Sequence, residues 1–265
     1  MLLSCSMSAW KNSVDSALGA IAGMGFRHVD IIAIPGWGLV EPEALAKDFG
    51  KVAGGLEKLL TKHRLTPVGV NAAVPNIYQR DDQAVCASRL AQVDAICRLM
   101  KRLGIPGASF FPGGNWPARE MEWDEVLAGE VATLREMLAL GAKYGVTLTL
   151  EPHANTPFQT LDQVRRLFDA VPDLRVAYDP SHFVMQDIPL AETAFILDRA
   201  AHVHVRDAAS GKMQAPVGQG TVDFAWLVSE LKRRKYTGAV SVEYLPGSED
   251  QVGEMKRVLE PLMGG

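Results

Sequence analysis

The sequence predicts a single (β/α)8 TIM barrel spanning residues 1–265, an α/β fold, and three observations carry that expectation. Short runs of strand-forming residues recur along the chain, a stretch with helical periodicity follows each, and eight units of about 33 residues use up the length. The runs are Leu2 to Ser6, His28 to Ile32, Pro67 to Asn71, Ala108 to Phe111, Val146 to Glu151, Val176 to Asp179, His202 to Arg206 and Val240 to Glu243. No Pro/Ser-rich or low-complexity segment marks a second domain.

The opening Met1-Leu2-Leu3-Ser4-Cys5 reads as the first strand, because no charged region precedes a hydrophobic stretch as in a secretion signal. A doubly wound open sheet would place a glycine-rich loop after that strand. Here Met7-Ser8-Ala9-Trp10 follows, and the next glycine is Gly19. Helix starts are marked by capping-box patterns at Thr160–Gln163 and Ser248–Gln251, and Leu161, Val164, Leu167, Phe168 and Val171 then recur at helical spacing. Gly23, Gly104 and Gly145 stand where helices end. The basic run Lys232-Arg233-Arg234-Lys235 closes a helical stretch, where cations suit the dipole, and reads as a solvated face.

Hydrophobic residues make up 48% of the chain and charged ones 22%, which excludes disordered and collagen-like chains. The formal charge of −4 offers no basic excess to condense on nucleic acid or an anionic membrane, so neither is an expected partner. No apolar run approaches the roughly 18 residues of a membrane span. Cys5, Cys86 and Cys97 are odd in number and unclustered, as in a reducing, cytoplasmic setting. Cys86 and Cys97 share a helical stripe with Leu90, Val93 and Met100 and read as packing residues.

In a parallel barrel the chemistry collects at the carboxyl ends of the strands. The last four runs end Glu151-Pro152-His153, Asp179-Pro180-Ser181-His182, His202-Val203-His204-Val205-Arg206-Asp207 and Glu243-Tyr244. Glu151, Asp179, His204 and Glu243 thus stand one strand–helix unit apart, on neighbouring strands of one rim. A lone strand-end carboxylate is usually a helix cap or loop anchor. Four chelating groups in consecutive units are another matter, since packing carboxylates together without a cation costs several kcal/mol. Two Glu, one Asp and one His form an oxygen and nitrogen set suited to one divalent ion, with Mn2+ the first expectation and Mg2+, Co2+ or Zn2+ compatible. Strand alternation puts His202 and His204 on one side; His204, nearer the rim, is the expected ligand, and His202 lies deeper. His28 and His63 read as structural or surface groups.

This ordered series, with Pro216-Val-Gly218-Gln-Gly220-Thr-Val-Asp223-Phe224 following the seventh run, resembles the xylose isomerase-like TIM-barrel family of sugar isomerases and epimerases over nearly the whole chain. The resemblance implies a divalent metal held by Glu151, Asp179, His204 and Glu243. In the pattern of the ketose 3-epimerases, it further implies that Glu151 and Glu243 are the catalytic acid/base pair. By the same resemblance His182 and Arg206 contact substrate, and His153 on the same rim is counted with them. The family pattern often has Lys at the position of Arg206, which bears on substrate preference rather than on metal binding. Endonuclease IV, another member, needs extra histidines on the early strands, where this chain has Asp30 to Ile32 and Asn71.

Gly218-Gln-Gly220 lacks the Lys-Ser/Thr of a phosphate loop and reads as a turn into the next helix. Phe110 to Trp116, Trp10 and Trp37 are candidates for pocket walls or an apolar rim. The expected function is a metal-dependent isomerase or epimerase acting on a keto sugar or related polyol by proton abstraction beside a carbonyl. The alternatives are a dehydratase of the inosose or dehydroshikimate type, and a catalytically silent metal- or sugar-binding barrel. A homo-oligomer is left open.

Overall fold

A computed structural model of the chain describes residues 1–11, 13–75, 77–113 and 121–264. In order, the elements are β1 (Leu2–Ser6), α1 (Val14–Gly23), β2 (His28–Ala33), α2 (Pro42–Lys47), α3 (Phe49–His63), β3 (Thr66–Ala72), α4 (Gln83–Leu103), β4 (Gly107–Phe110), α5 (Trp123–Tyr144) and β5 (Thr147–Leu150). There follow α6 (Leu161–Ala170), β6 (Arg175–Tyr178), α7 (Ser181–Val184), α8 (Ala194–Leu197), β7 (Ala200–Val205), β8 (Asp207–Ala209), β9 (Lys212–Ala215), α9 (Phe224–Arg233), β10 (Ala239–Val242) and α10 (Glu249–Met263).

Eight strands pair in parallel and close on themselves in the order β1-β10-β7-β6-β5-β4-β3-β2, which is the (β/α)8 barrel. Their alternation explains how the barrel divides its residues. Cys5, Val29, Ile31, Val203, Val205, Val240 and Val242 are buried and join the apolar core. The intervening positions, Ser4, Asp30, Gly69, Asn71, Ser109, Thr149, His202, His204 and Ser241, lie on the opposite side of their strands and are mostly polar. The Oγ atoms of Ser4, Ser109 and Ser241 are buried without hydrogen-bond partners among the described residues. The inner side of these strands is therefore polar, unlike the branched apolar layers that usually fill such barrels.

The local signals hold in most places. Thr160 and Gln163 form a reciprocal capping box, and Gly104 and Gly145 end α4 and α5 with left-handed φ of 69° and 68°. At the first helix the left-handed residue is Gly25, whereas Gly23 is the last residue of α1. The pattern at Ser248–Gln251 forms no capping box. Both side chains are recruited elsewhere: Ser248 Oγ accepts from Gln214 Nε2 at 3.0 Å, and Gln251 Oε1 accepts from Val217 N at 2.8 Å. These bonds tie the segment after β7 to the segment after β10. The unit between β6 and β7 has two single-turn helices in place of one long helix, with Pro180 and Pro189 interrupting the chain. The antiparallel hairpin β8–β9 had no signal in the periodicity.

The basic run at the end of α9 is engaged as a surface network: Arg233 and Arg234 pair with Glu230, and Lys232 Nζ donates to Leu262 O at 2.7 Å. His63 pairs with Asp15 at 2.6 Å, and His28 Nδ1 lies 3.2 Å from Leu3 O. Among the described residues no helix is long and apolar enough to cross a membrane.

The segment after β3 is clamped onto α5, where Arg80 meets Thr133 and Glu136 and the Tyr78 carbonyl lies against Gly129. A Cβ at Gly129 would stand 2.1 Å from Tyr78 O, a backbone atom that cannot swing aside. Alanine is the better helix former by about 1 kcal/mol, but overpacking costs about 1–3 kcal/mol. Gly129→Ala should therefore lower the melting temperature. Gly55 in α3 is exposed with nothing within 4 Å of such a Cβ, and Gly55→Ala should raise stability by about 0.5–1 kcal/mol. Thermal melts of the two variants side by side check both signs.

Candidate active site

Each site residue lies at or just past a strand end, so the closure of the barrel brings together groups far apart in sequence. Glu151 follows β5, Asp179 follows β6, His204 lies near the end of β7 with Arg206 just after it, and Glu243 follows β10. All five are buried. His204 Nδ1 lies 3.0 Å from Glu151 Oε1 and 3.6 Å from Glu243 Oε2. One donor atom each from Glu151, His204 and Glu243 fall within 4.8 Å of one another. Asp179 enters through a second, overlapping triplet with Glu151 and His182. The four residues expected as ligands are thus linked through Glu151, and His182 is close enough to be counted beside them.

Two cations already sit among these carboxylates. Arg206 Nη2 donates to Asp179 Oδ2 at 2.6 Å and lies 3.4 Å from Glu243 Oε2. His204 has a carboxylate oxygen at each ring nitrogen, Glu151 at Nδ1 and Asp30 at Nε2, the latter at 2.8 Å. Burial disfavours the imidazolium, but Glu243 and Glu151 outweigh it and hold the His204 pKa well above the usual value. Burial pushes the Glu243 carboxyl up, whereas at Glu151 the same burial effect is overcome by His204 and the pKa falls. The remaining acceptor of Glu243, Oε1, is taken by Asn71 Nδ2 at 2.7 Å.

The donor set fits a divalent cation. It is oxygen and imidazole nitrogen without a thiolate, it is buried, and its carboxylates lie close enough that positive charge between them offsets their repulsion. Arg206 and His204 supply that charge in the arrangement described.

His182 and His153 pack against each other with ring centroids 3.6 Å apart and planes tilted by 38°, and Phe111 meets His153 edge-on at 5.0 Å. Burial, with His153 and Arg206 nearby, drives the His182 pKa well below its usual value, so this ring is neutral. Arg206 Nη2 is 3.3 Å from His182 Nε2, and a guanidinium has no lone pair to offer, so Nε2 accepts. The proton is then on Nδ1, which is buried and has no hydrogen-bond partner among the described residues. Nε2 is the ring nitrogen near Asp179, at 3.6 Å from Oδ2, which leaves Nδ1 as an unused N–H donor.

Three residues at the site were not singled out from the sequence. Asp30 and Asn71 were noted only for not being histidines, and Ser181 Oγ accepts from Arg206 Nε at 3.0 Å. The one available signal was the alternation of β2, which sets acidic Asp30 between Val29 and Ile31, on the side shared with His202 and His204. Trp10 and Trp37 are half-buried against the core. Trp116, from the segment expected to wall a pocket, lies outside the described residues.

The profile of the xylose isomerase-like TIM barrel matches residues 18–262. The chain belongs to that family. Among curated proteins, an inosose dehydratase of Bacillus velezensis is 27% identical over 146 residues, 46% of this chain and 47% of that protein. The chain spans about half the length of the curated relatives it matches. Among solved structures, a D-allulose 3-epimerase from Methylomonas in complex with D-allulose superposes with a TM-score of 0.78 at 16% identity, covering 98% of this chain and 96% of that one. The IOLI protein with a bound zinc atom gives 0.75 at 20% identity, over 99% and 98% of the two chains.

The segment Gly218-Gln-Gly220 is confirmed as a turn in this family member, wrapped around a carboxylate. Asp207 accepts from the backbone N–H groups of Ala208, Gly218, Gly220 and Val222 at 2.9–3.4 Å, while its own N–H donates to Tyr244 Oη at 3.0 Å. Hydrogen bonds to a buried charge are among the stronger ones, so Asp207→Ala should cost about 2–4 kcal/mol. It should also speed amide hydrogen exchange at Gly218, Gly220 and Val222, and unchanged exchange there would mean that the turn holds itself.

Proposed function

We propose that the protein is a divalent-metal-dependent isomerase or epimerase of a keto sugar or related polyol. The observation that carries this reading is the buried convergence of Glu151, His204 and Glu243, with Asp179 linked through Glu151. These four residues would hold the ion, Mn2+ in the first instance. When bound, such an ion supplies Lewis acidity to a carbonyl and its neighbouring hydroxyl.

The protein's own groups do the rest. Glu151 and Glu243 approach the site from β5 and β10, two non-adjacent strands, so one can take a proton from the carbon beside the carbonyl while the other returns it. Return to the opposite face of that carbon is epimerisation, and return to the neighbouring carbon is isomerisation. His182 offers its Nδ1–H to a substrate oxygen, Arg206 fixes His182 and places charge beside it, and His153 packs against the ring. Three unpaired thiols suit a cytoplasmic enzyme.

A second reading, a dehydratase acting on an inosose, is favoured by the similarity to inosose dehydratases over nearly half the chain. The proton abstraction is the same in both readings; they part at whether hydroxide leaves afterwards. A screen of keto sugars and inososes in D2O with added Mn2+ separates them, because epimerisation and isomerisation keep the substrate's composition and dehydration does not.

Glu151→Gln and Glu243→Gln each keep side-chain size and one donor oxygen but remove the base. At verified metal saturation each should lower turnover by about 100-fold or more, with loss of deuterium wash-in at the reacting carbon. Near-normal turnover in either variant would remove that glutamate from the chemistry.

A further inference from the structure

We infer that Asp30 is a positioning residue for the metal site: it holds the ring of His204 through Nε2, so that Nδ1 is the nitrogen presented to Glu151 and Glu243. This inference rests on the metal reading above and extends it to a residue outside the expected ligand set.

The geometry is specific. Asp30 Oδ2 lies 2.8 Å from His204 Nε2 and 3.0 Å from His202 Nε2, so one carboxylate oxygen serves two imidazoles on the same strand. Asp30 and His204 are 0% exposed, and the two rings meet edge-on at 4.8 Å between centroids. Both ring nitrogens face a carboxylate, which accepts and does not donate, so each carries a hydrogen in the arrangement described; a cation between Glu151 and Glu243 would displace the one on Nδ1, while Asp30 keeps the one on Nε2. Metal-ligating histidines are commonly fixed in this way, by a carboxylate on the nitrogen away from the metal.

The backbone makes room for the contact. The register of β2 against β3 shifts between Val29 and Asp30, and Asp30 pairs with Gly69. Such an irregularity re-aims the side chain beside it. A Cβ at residue 69 would stand 2.6 Å from Asp30 Oδ1 and 2.7 Å from His202 Cε1. Gly69 is therefore the space in which the carboxylate and the deeper imidazole meet. Asp30, His202 and His204 also offer three donors within 4.8 Å of one another, which raises a second cation site as the rival. The shared oxygen favours the brace, since Oδ2 already accepts from two rings, while Oδ1 is buried without a partner among the described residues and the metal stoichiometry below separates the two.

The test is calorimetric titration of Mn2+ into the wild-type chain and into Asp30→Ala, Asp30→Asn and Gly69→Ala. A second readout is nitrogen-15 correlation of the histidine rings in the Zn2+-loaded protein, which reports which nitrogen of His204 keeps its hydrogen. The expected result is one Mn2+ per wild-type chain. Affinity should fall 10- to 100-fold in Asp30→Ala, with losses of the same sign in the other two, and the protected Nε2–H signal should disappear in Asp30→Ala. If Asp30→Ala does not fold, as judged by its melt, the isosteric Asp30→Asn carries the comparison. Wild-type affinity in the variants would overturn this inference and leave the metal reading intact. A second Mn2+ per wild-type chain, lost with Asp30, would replace the brace by a second site. No Mn2+ binding by the wild-type chain would end the metal reading and this inference together.

Discussion

The site depends on burying like charge at one point. Asp30, Glu151, Asp179 and Glu243 are all buried and linked through shared partners. Two unit charges about 4 Å apart repel by about 4 kcal/mol at the effective dielectric that suits such pairs. Such a cluster persists only with compensating cations, and Arg206 and His204 are placed where they are needed, each touching two or more of the carboxylates. The raised pKa of His204 and of Arg206 is the same fact seen from the other partner. A cluster that demands positive charge is also one that a small divalent ion would satisfy.

Closing the barrel is what makes the demand local. Glu151 and Glu243 stand just past β5 and β10, with β6 and β7 between them in the ring, and the curvature brings both to Nδ1 of His204. Period-two alternation then fixes which groups look inward, and a slip of one residue along β7 would turn His202, His204 and Arg206 into the core and Val203 and Val205 into the site. The loops keep this register from drifting. Asp207, next after Arg206, gathers the turn at residues 218–222, and Gln214 and Gln251 tie the β7 segment to that after β10.

What was legible in the sequence had a local signature. The strands show as short runs of strand formers, and Glu151, Asp179, His204 and Glu243 show because a polar residue ends each run. The roles of Asp30 and Asn71 have no such signature: the partners of Asp30 are 172 and 174 residues away, and that of Asn71 is 172 away. Only the closed ring makes these pairs neighbours. Ser248 failed for a related reason, since its capping pattern is a local signal that the hairpin β8–β9 overrode through Gln214. The hairpin itself is two strands of three and four residues, too short for a period of two to show.

Arg206 shows why residue identity, and not charge alone, decides what this site presents. Its guanidinium reaches Asp179, Ser181 and His182 at once, at 2.6, 3.0 and 3.3 Å. A lysine at this position would carry the same charge on one ammonium nitrogen and could not span three partners in a plane. The contact to His182 matters most, because a donor at Nε2 forces the neutral ring to carry its proton on Nδ1. Without that contact the buried ring could turn Nε2 into the donor and present an acceptor instead. The planar fork of Arg206 therefore sets the hydrogen-bonding polarity of the neighbouring histidine, and with it whether the spare nitrogen of His182 donates or accepts.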